Sequence, residues 1–167
     1  MGLPVDYQPH KLFVAVLASP DHSPASVRAL VEDRFGPVDA ELPSHRFTLS
    51  SYYEREMGSD LRRSILSVDP LVDPSRLAEL KSTSNAIELE HARESSGRLQ
   101  ADGGLSAGVD STPPSRAINL DPGLLSLSRV ILATTKPSAH RIPLTAGFFA
   151  EITLLYRGMG ASHTVTA

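Results

Sequence analysis

The sequence contains no cysteine and no excess of basic residues, and each absence excludes some chemistry. Without cysteine the chain has no disulfide, no thiolate metal ligand and no cysteine nucleophile. Lys and Arg number 16 against 19 Asp and Glu, for a formal net charge of −3. Surfaces that bind nucleic acid usually carry a basic excess, so the composition indicates no nucleic-acid partner.

Long hydrophobic runs are also missing. The apolar run over residues 12–18 is too short to span a bilayer. It also lacks the basic flank and the longer apolar core of a signal peptide. We therefore expect a cytoplasmic protein with no membrane partner.

The length of 167 residues is typical of a single domain, so we expect residues 1–167 to fold as one unit. Hydrophobic residues make up 41% and charged residues 21%, as in ordinary globular proteins. Half of the positions in 94–115 are Gly, Ser or Pro, which predicts a flexible insertion loop because such a segment has little to bury. Residues 158–167 are predicted to form a loose C-terminal tail.

The apolar patterns predict the element order β-α-β-β-α-β. The run over 11–18 is typical of a strand buried on both faces. Ser23 and Pro24 open a helix over 24–35, which Gly36 ends. Two strands follow at 45–51 and 61–68, then a helix from Pro74 to about residue 93. The next strand, 116–120, is predicted to end in Asp-Pro-Gly.

The remaining elements complete the predicted fold. Residues 126–135 fit a helix capped by Ser126, but the β-branched run RVILATT also fits a strand; we favour the helix. Segments 140–144 and 148–156, separated by Thr-Ala-Gly, predict a β-hairpin. The predicted fold class is α+β: a ferredoxin-like β-α-β-β-α-β core with an added short helix and a C-terminal β-hairpin.

Six sequence blocks occur in a specific order: KLFVAVLAS, YYEREMG, NLDPGLLSLS, ATTK, HRI and AEITLLY. In order and spacing they resemble the bacterial family known as domain of unknown function 4416, over about residues 10–92 and 116–157. The family has no established activity, although its members are often labelled GTP-binding proteins. The 94–115 segment and the ending GMGASHTVTA depart from the family pattern.

Several familiar functional motifs are absent. The chain has neither the P-loop nor the Asn-Lys-x-Asp motif of GTPases, which speaks against GTPase activity. His45 lacks the second motif of a two-histidine phosphoesterase, because Ile142 stands where a hydroxyl is needed after His140. The HExxH motif of zinc metalloproteases is missing too. The sequence thus indicates no metal site and names no catalytic residue or cofactor.

One set of polar residues does not fit simple packing. Several of them lie where strands end and loops begin, which is where sites often form. The candidate ligand-binding residues are Tyr52, Tyr53, Glu54, Glu56, Asn119, Asp121, Lys136, His140, Arg141, Glu151 and Thr153. Structural roles are also open to them: Asp121 can stabilise a turn, and Arg141 can form a cross-strand ion pair with Glu151.

Two functions from different classes follow. The first is binding of a small anionic or nucleotide-like metabolite, which Lys136, His140 and Arg141 would hold. In that case Asp121 and either Glu54 or Glu56 would act as a base or as magnesium ligands, and the domain could be an enzyme. The alternative is a non-catalytic protein-interaction module or a homo-oligomer. Convergence of the polar set on one concave pocket would favour the first.

Overall fold

The computed structural model describes residues 2–49, 52–101, 116–156 and 162–164. The fold is mixed α/β, with an antiparallel sheet and two long helices, α1 (Pro24–Phe35) and α3 (Leu77–Ala101). A short helix, α2, spans Glu54–Met57. The strands are β1 (His10–Ala18), β2 (Val38–Arg46), β3 (Arg62–Val72), β4 (Ile118–Leu125), β5 (Arg129–Thr134), β6 (Ile142–Pro143), β7 (Phe149–Tyr156) and β8 (Ser162–Thr164). Their order in the sheet is β2-β3-β1-β4-β5-β7-β6, and β8 pairs with β7.

Strand β1 lies inside the sheet, between β3 and β4, as its apolar run predicts. Helix α1 begins where the sequence indicates, because the Ser23 hydroxyl accepts a hydrogen bond from the Ser26 N–H at 3.1 Å. It ends before Gly36, whose φ of 114° suits glycine far better than other residues. The predictions of this strand and this helix are confirmed.

The core lies between one face of the sheet and the two long helices. Val31 of α1 and Ile87 of α3 belong to the same buried cluster as Val14 and Leu120 of the sheet. The other face of the sheet is covered differently: α2 packs Met57 against Leu17 at one end. None of the helices in the described ranges is both long and apolar enough to cross a membrane.

The helix favoured for 126–135 is wrong, since this segment forms strand β5. Ser126 stabilises a tight turn instead of a helix start: its N–H donates to the Arg129 carbonyl, and its hydroxyl accepts from the Ser128 N–H. The β-branched residues then pair with β4 on one side and β7 on the other. Strand β5 thus lies in the sheet between β4 and β7, where the prediction had a short helix outside it.

Other boundaries also move. The strand predicted at 45–51 is wrong, because β2 spans Val38–Arg46. Strand β4 does not end at Asp-Pro-Gly but continues through it to Leu125. Helix α3 extends to Ala101, into the segment predicted as a loop, and residues 102–115 lie outside the described residues.

The C-terminal part contains the predicted hairpin in a shortened form. Its first arm, β6, has two residues, and a 3₁₀ turn at Thr145–Gly147 leads into β7. Within the predicted tail, Ser162–Thr164 pairs with β7 as strand β8. Residues 158–161 and 165–167 of that tail lie outside the described residues.

Candidate functional site

The sheet splits between β4 and β5, and a cleft of about 650 Å³ lies at the split. In the described sheet these strands pair only from Gly123↔Leu132 to Leu125↔Val130. The next residue of β4 is Pro122, which has no N–H with which to continue the ladder. We attribute the end of the pairing to this proline.

Two side chains of α3 bond the backbone groups of β4 that β5 leaves unpaired. The Leu120 N–H donates to Glu88 Oε1 at 2.8 Å, and Lys81 Nζ donates to the Leu120 carbonyl at 2.9 Å. In an antiparallel sheet both backbone groups of one residue face the same neighbouring strand. Lys81 and Glu88, which are 4% and 5% exposed, therefore take the place of a strand.

Ion pairs continue from these two residues and connect three elements. Lys81 Nζ lies 2.9 Å from Asp121 Oδ1 and 3.8 Å from Glu88 Oε1. Arg116 pairs with two carboxylates: its Nη1 lies 2.8 Å from Glu88 Oε2, and its Nη2 lies 2.9 Å from Glu56 Oε2. This network, which we call the α3 ion chain, ties α2 and α3 to β4.

Burial affects protonation within the α3 ion chain. It raises the pKa of the Glu88 carboxyl, while Lys81, the Leu120 N–H and Arg116 act in the opposite direction. A buried carboxylate of this kind is costly unless cations and donors surround it. The integrity of the cleft wall therefore depends on these partners.

The opposite wall is built around Arg141. Its Nε donates to Glu151 Oε2 at 2.8 Å, and its Nη2 lies 2.7 Å from the same oxygen. Its Nη1 donates to the Lys136 carbonyl at 2.7 Å. His140 lies beside this pair, with Nε2 3.8 Å from Glu151 Oε2 and Nδ1 3.0 Å from the Ser138 hydroxyl. Arg141 thus fixes the backbone that carries Lys136.

Lys136 differs from the other cations of the cleft. Its Nζ lies 4.3 Å from the ring centroid of Tyr52 and 5.7 Å from that of Tyr53, within the range of cation–π contacts. Across the described ranges it forms no ion pair with a carboxylate. Asn85, which also lines the cleft, makes no side-chain hydrogen bond within the same ranges. These two side chains remain available to a ligand.

Most of the predicted set converges on this cleft. Seven of the eleven candidates line it: Tyr53, Glu56, Asn119, Asp121, Lys136, Arg141 and Glu151. Tyr52 and His140 contact members of this group, as described above. Thr153 donates to the Glu151 carbonyl at 3.5 Å, and Glu54 is exposed at the start of α2; neither lines the cleft.

Sequence reasoning missed the residues contributed by α3, and Arg116 beside them. Lys81, Ser84 and Glu88 are all buried on the stripe of the helix that also buries Leu80 and Ile87. The available signal was the thin apolar face of this helix, because polar residues occupy core-facing positions there. Buried polar side chains on a helix indicate that other segments of the fold provide their hydrogen-bond or ion-pair partners.

Among the described residues, no three His, Asp or Glu side chains lie close enough together to hold a metal ion. Asp121 has both carboxylate oxygens engaged, Oδ1 by Lys81 and Oδ2 by the Asn119 amide at 2.9 Å. Glu56 is engaged by Arg116. These carboxylates shape the cleft wall.

Fold and site together define an α/β protein whose antiparallel sheet opens into a charged cleft. The chain belongs to the family described as Domain of unknown function (DUF4416), whose model matches residues 8–165. No curated protein and no solved structure matches the chain. The family description names no activity.

Proposed function

We propose that the chain binds a small anionic metabolite in the cleft between β4 and β5, with Lys136 holding the anion. The observation that carries the proposal is the state of Lys136: of the lining cations in the described ranges, it alone has no carboxylate partner. Lys81, Arg116 and Arg141 are each neutralised by an acidic neighbour. A cation left uncompensated in a concave site attracts an anion.

The other charged residues receive supporting roles in this proposal. Arg141 was expected to bind the anion directly, but Nε and Nη2 contact Glu151 and Nη1 donates to the Lys136 carbonyl. We therefore assign it to positioning Lys136. Asp121 and Glu56, expected as a base or as magnesium ligands, instead hold Lys81 and Arg116 in place.

The uncharged lining suits the rest of such a ligand. Tyr53 offers an aromatic ring, and Asn85 and Thr135 offer polar groups. Binding sites commonly combine apolar walls with a few polar groups that orient the ligand. Nucleotide-like molecules therefore remain within the proposed class. The convergence of the predicted residues supports this function over the alternative of a protein-interaction module.

The test measures binding of anionic metabolites to the wild type and to a Lys136→Gln variant. Small molecules that co-purify with the native protein are identified by mass spectrometry and then titrated calorimetrically. We expect Lys136→Gln to weaken binding at least about tenfold, or about 1.4 kcal/mol. The melting temperature should change little, because Lys136 is exposed and a cation–π contact at an exposed site contributes only about 0.5–1 kcal/mol.

Arg129→Gln is the matched control, since it removes an exposed cation at the other end of β5. It should bind the ligand as tightly as the wild type does. The proposal is wrong if no anion binds, or if both variants bind equally well.

A further inference from the structure

A second, smaller pocket of about 170 Å³ adjoins the cleft on the second face of the sheet. Both pockets are lined by Tyr53, Asn119 and Asp121, so these three residues form a wall common to the two. The smaller pocket adds Arg63 and Phe47. The two cavities are therefore neighbouring parts of one recessed region.

Strand register explains the small pocket. Arg63, Leu17 and Asn119 lie opposite one another across β3, β1 and β4, and in the next row Ala15 lies opposite Asp121. Ala15 has the smallest side chain among these, which leaves a depression. The rings of Phe47 and Tyr53 meet edge to face, with centroids 6.2 Å apart. They pack against the cluster that contains Leu17 and line the same pocket.

Arg63 is the positively charged residue that lines this pocket. Its side chain is half-buried, yet within the described ranges it makes no hydrogen bond or ion pair. Its neighbours on the sheet differ, because Arg62 donates to Ser44 and Arg46 pairs with Asp60. Asp121 is the carboxylate that lines this pocket, and it already accepts hydrogen bonds from Lys81 and Asn119.

An arginine without partners has a planar set of donors that fits a carboxylate or a phosphate in a bidentate manner. In the adjoining cleft Lys136 supplies a second cation that has no carboxylate partner among the described residues. Tyr53, which lines both pockets, lies where the body of a ligand reaching from one to the other would pass.

We infer that the cleft and the small pocket form one elongated site for a small molecule with two anionic groups, one bound by Lys136 and the other by Arg63. The Lys136 end rests on the proposed function, and the Arg63 end goes beyond it. The ligand class is a metabolite whose two anionic groups, such as a phosphate and a carboxylate, are separated by a short, partly apolar body.

The test compares probes that differ in one anionic group. Phenyl phosphate carries one, whereas 4-carboxyphenyl phosphate and the longer 4-(carboxymethyl)phenyl phosphate carry two at different separations. Calorimetric titrations use the full chain as wild type, Arg63→Gln and Lys136→Gln. Arg62→Gln is the matched control, because it removes the neighbouring arginine, whose side chain is exposed. Thermal melts verify that each variant is folded.

We expect the better of the two dianions to bind the wild type at least about tenfold more tightly than phenyl phosphate does. Arg63→Gln should abolish this advantage and leave phenyl phosphate binding unchanged, while Arg62→Gln should preserve the advantage. Lys136→Gln should weaken all three probes.

The outcomes separate the two ideas. Equal binding of all probes to the wild type, or an advantage that survives in Arg63→Gln, overturns the two-anion inference; loss of binding in Lys136→Gln would still uphold the proposed function. Binding that depends on Arg63 but not on Lys136 overturns the proposed function and reduces the site to a single-anion pocket. Absence of binding by every probe overturns both.

Discussion

Replacing Lys81 with methionine tests whether the α3 ion chain holds the split sheet together. Lys81 is 4% exposed, and its Nζ lies 2.9 Å from both the Leu120 carbonyl and Asp121 Oδ1. Methionine keeps most of the apolar stem, so the change removes mainly the charge and its hydrogen bonds. Removal of one partner from a buried ion pair usually costs about 3–5 kcal/mol of folding free energy. We expect a loss in this range.

Lys11→Met is the matched control, because it makes the same substitution elsewhere on the sheet. Lys11 pairs with Asp39 at the surface, where ion pairs contribute little to stability. Urea unfolding followed by circular dichroism gives both free energies of unfolding by linear extrapolation. The control should remain close to the wild type.

A second substitution identifies the source of the loss. In the Lys81→Met background, Glu88→Gln removes the buried carboxylate charge but keeps an oxygen that can accept from the Leu120 N–H. We expect this double variant to recover about 1–2 kcal/mol relative to Lys81→Met. If Lys81→Met lowers stability no more than Lys11→Met does, the reasoning about the α3 ion chain is refuted.

Two further predictions concern packing and pH. A Cβ added at Gly123 would lie 2.2 Å from Phe13 Cζ. We therefore expect Gly123→Ala to lower the free energy of unfolding, measured by urea titration, by about 1–3 kcal/mol, as overpacking does. Most of this loss should disappear in a Phe13→Ala background, whereas additive losses would contradict the predicted clash. Burial, followed by the nearby His91, lowers the pKa of His22 below its usual 6.5. The unfolded chain then takes up the proton first, so the stability that His22 contributes above pH 6.5 is lost as the pH falls through the folded-state pKa. Thermal melts from pH 7.5 to pH 5.5 should therefore show a smaller acid loss in His22→Asn than in the wild type, and equal losses would contradict the assignment.

Local signals in the sequence determined several parts of this protein. The apolar run of β1 specifies a buried strand, and Ser23, Pro24 and Gly36 bound helix α1, because caps and special backbone angles depend on adjacent residues. The order and spacing of the sequence blocks also identified the family. Polar residues at strand ends indicated a site, and most of those candidates line the cleft.

Tertiary structure alone decided the rest. Residues 129–134 become a strand because β4 and β7 provide backbone partners on both sides, although the residues of this segment by themselves also fit a helix. Lys81 and Glu88 are distant in sequence from Leu120 and become partners of its backbone only when α3 packs over the split in the sheet. Arg63 comes to line the same pocket as Asn119 through the register of β3, β1 and β4. For Lys81, Glu88 and Arg63 the deciding hydrogen bond or contact joins segments far apart in the chain, and such contacts exist only once the chain has folded.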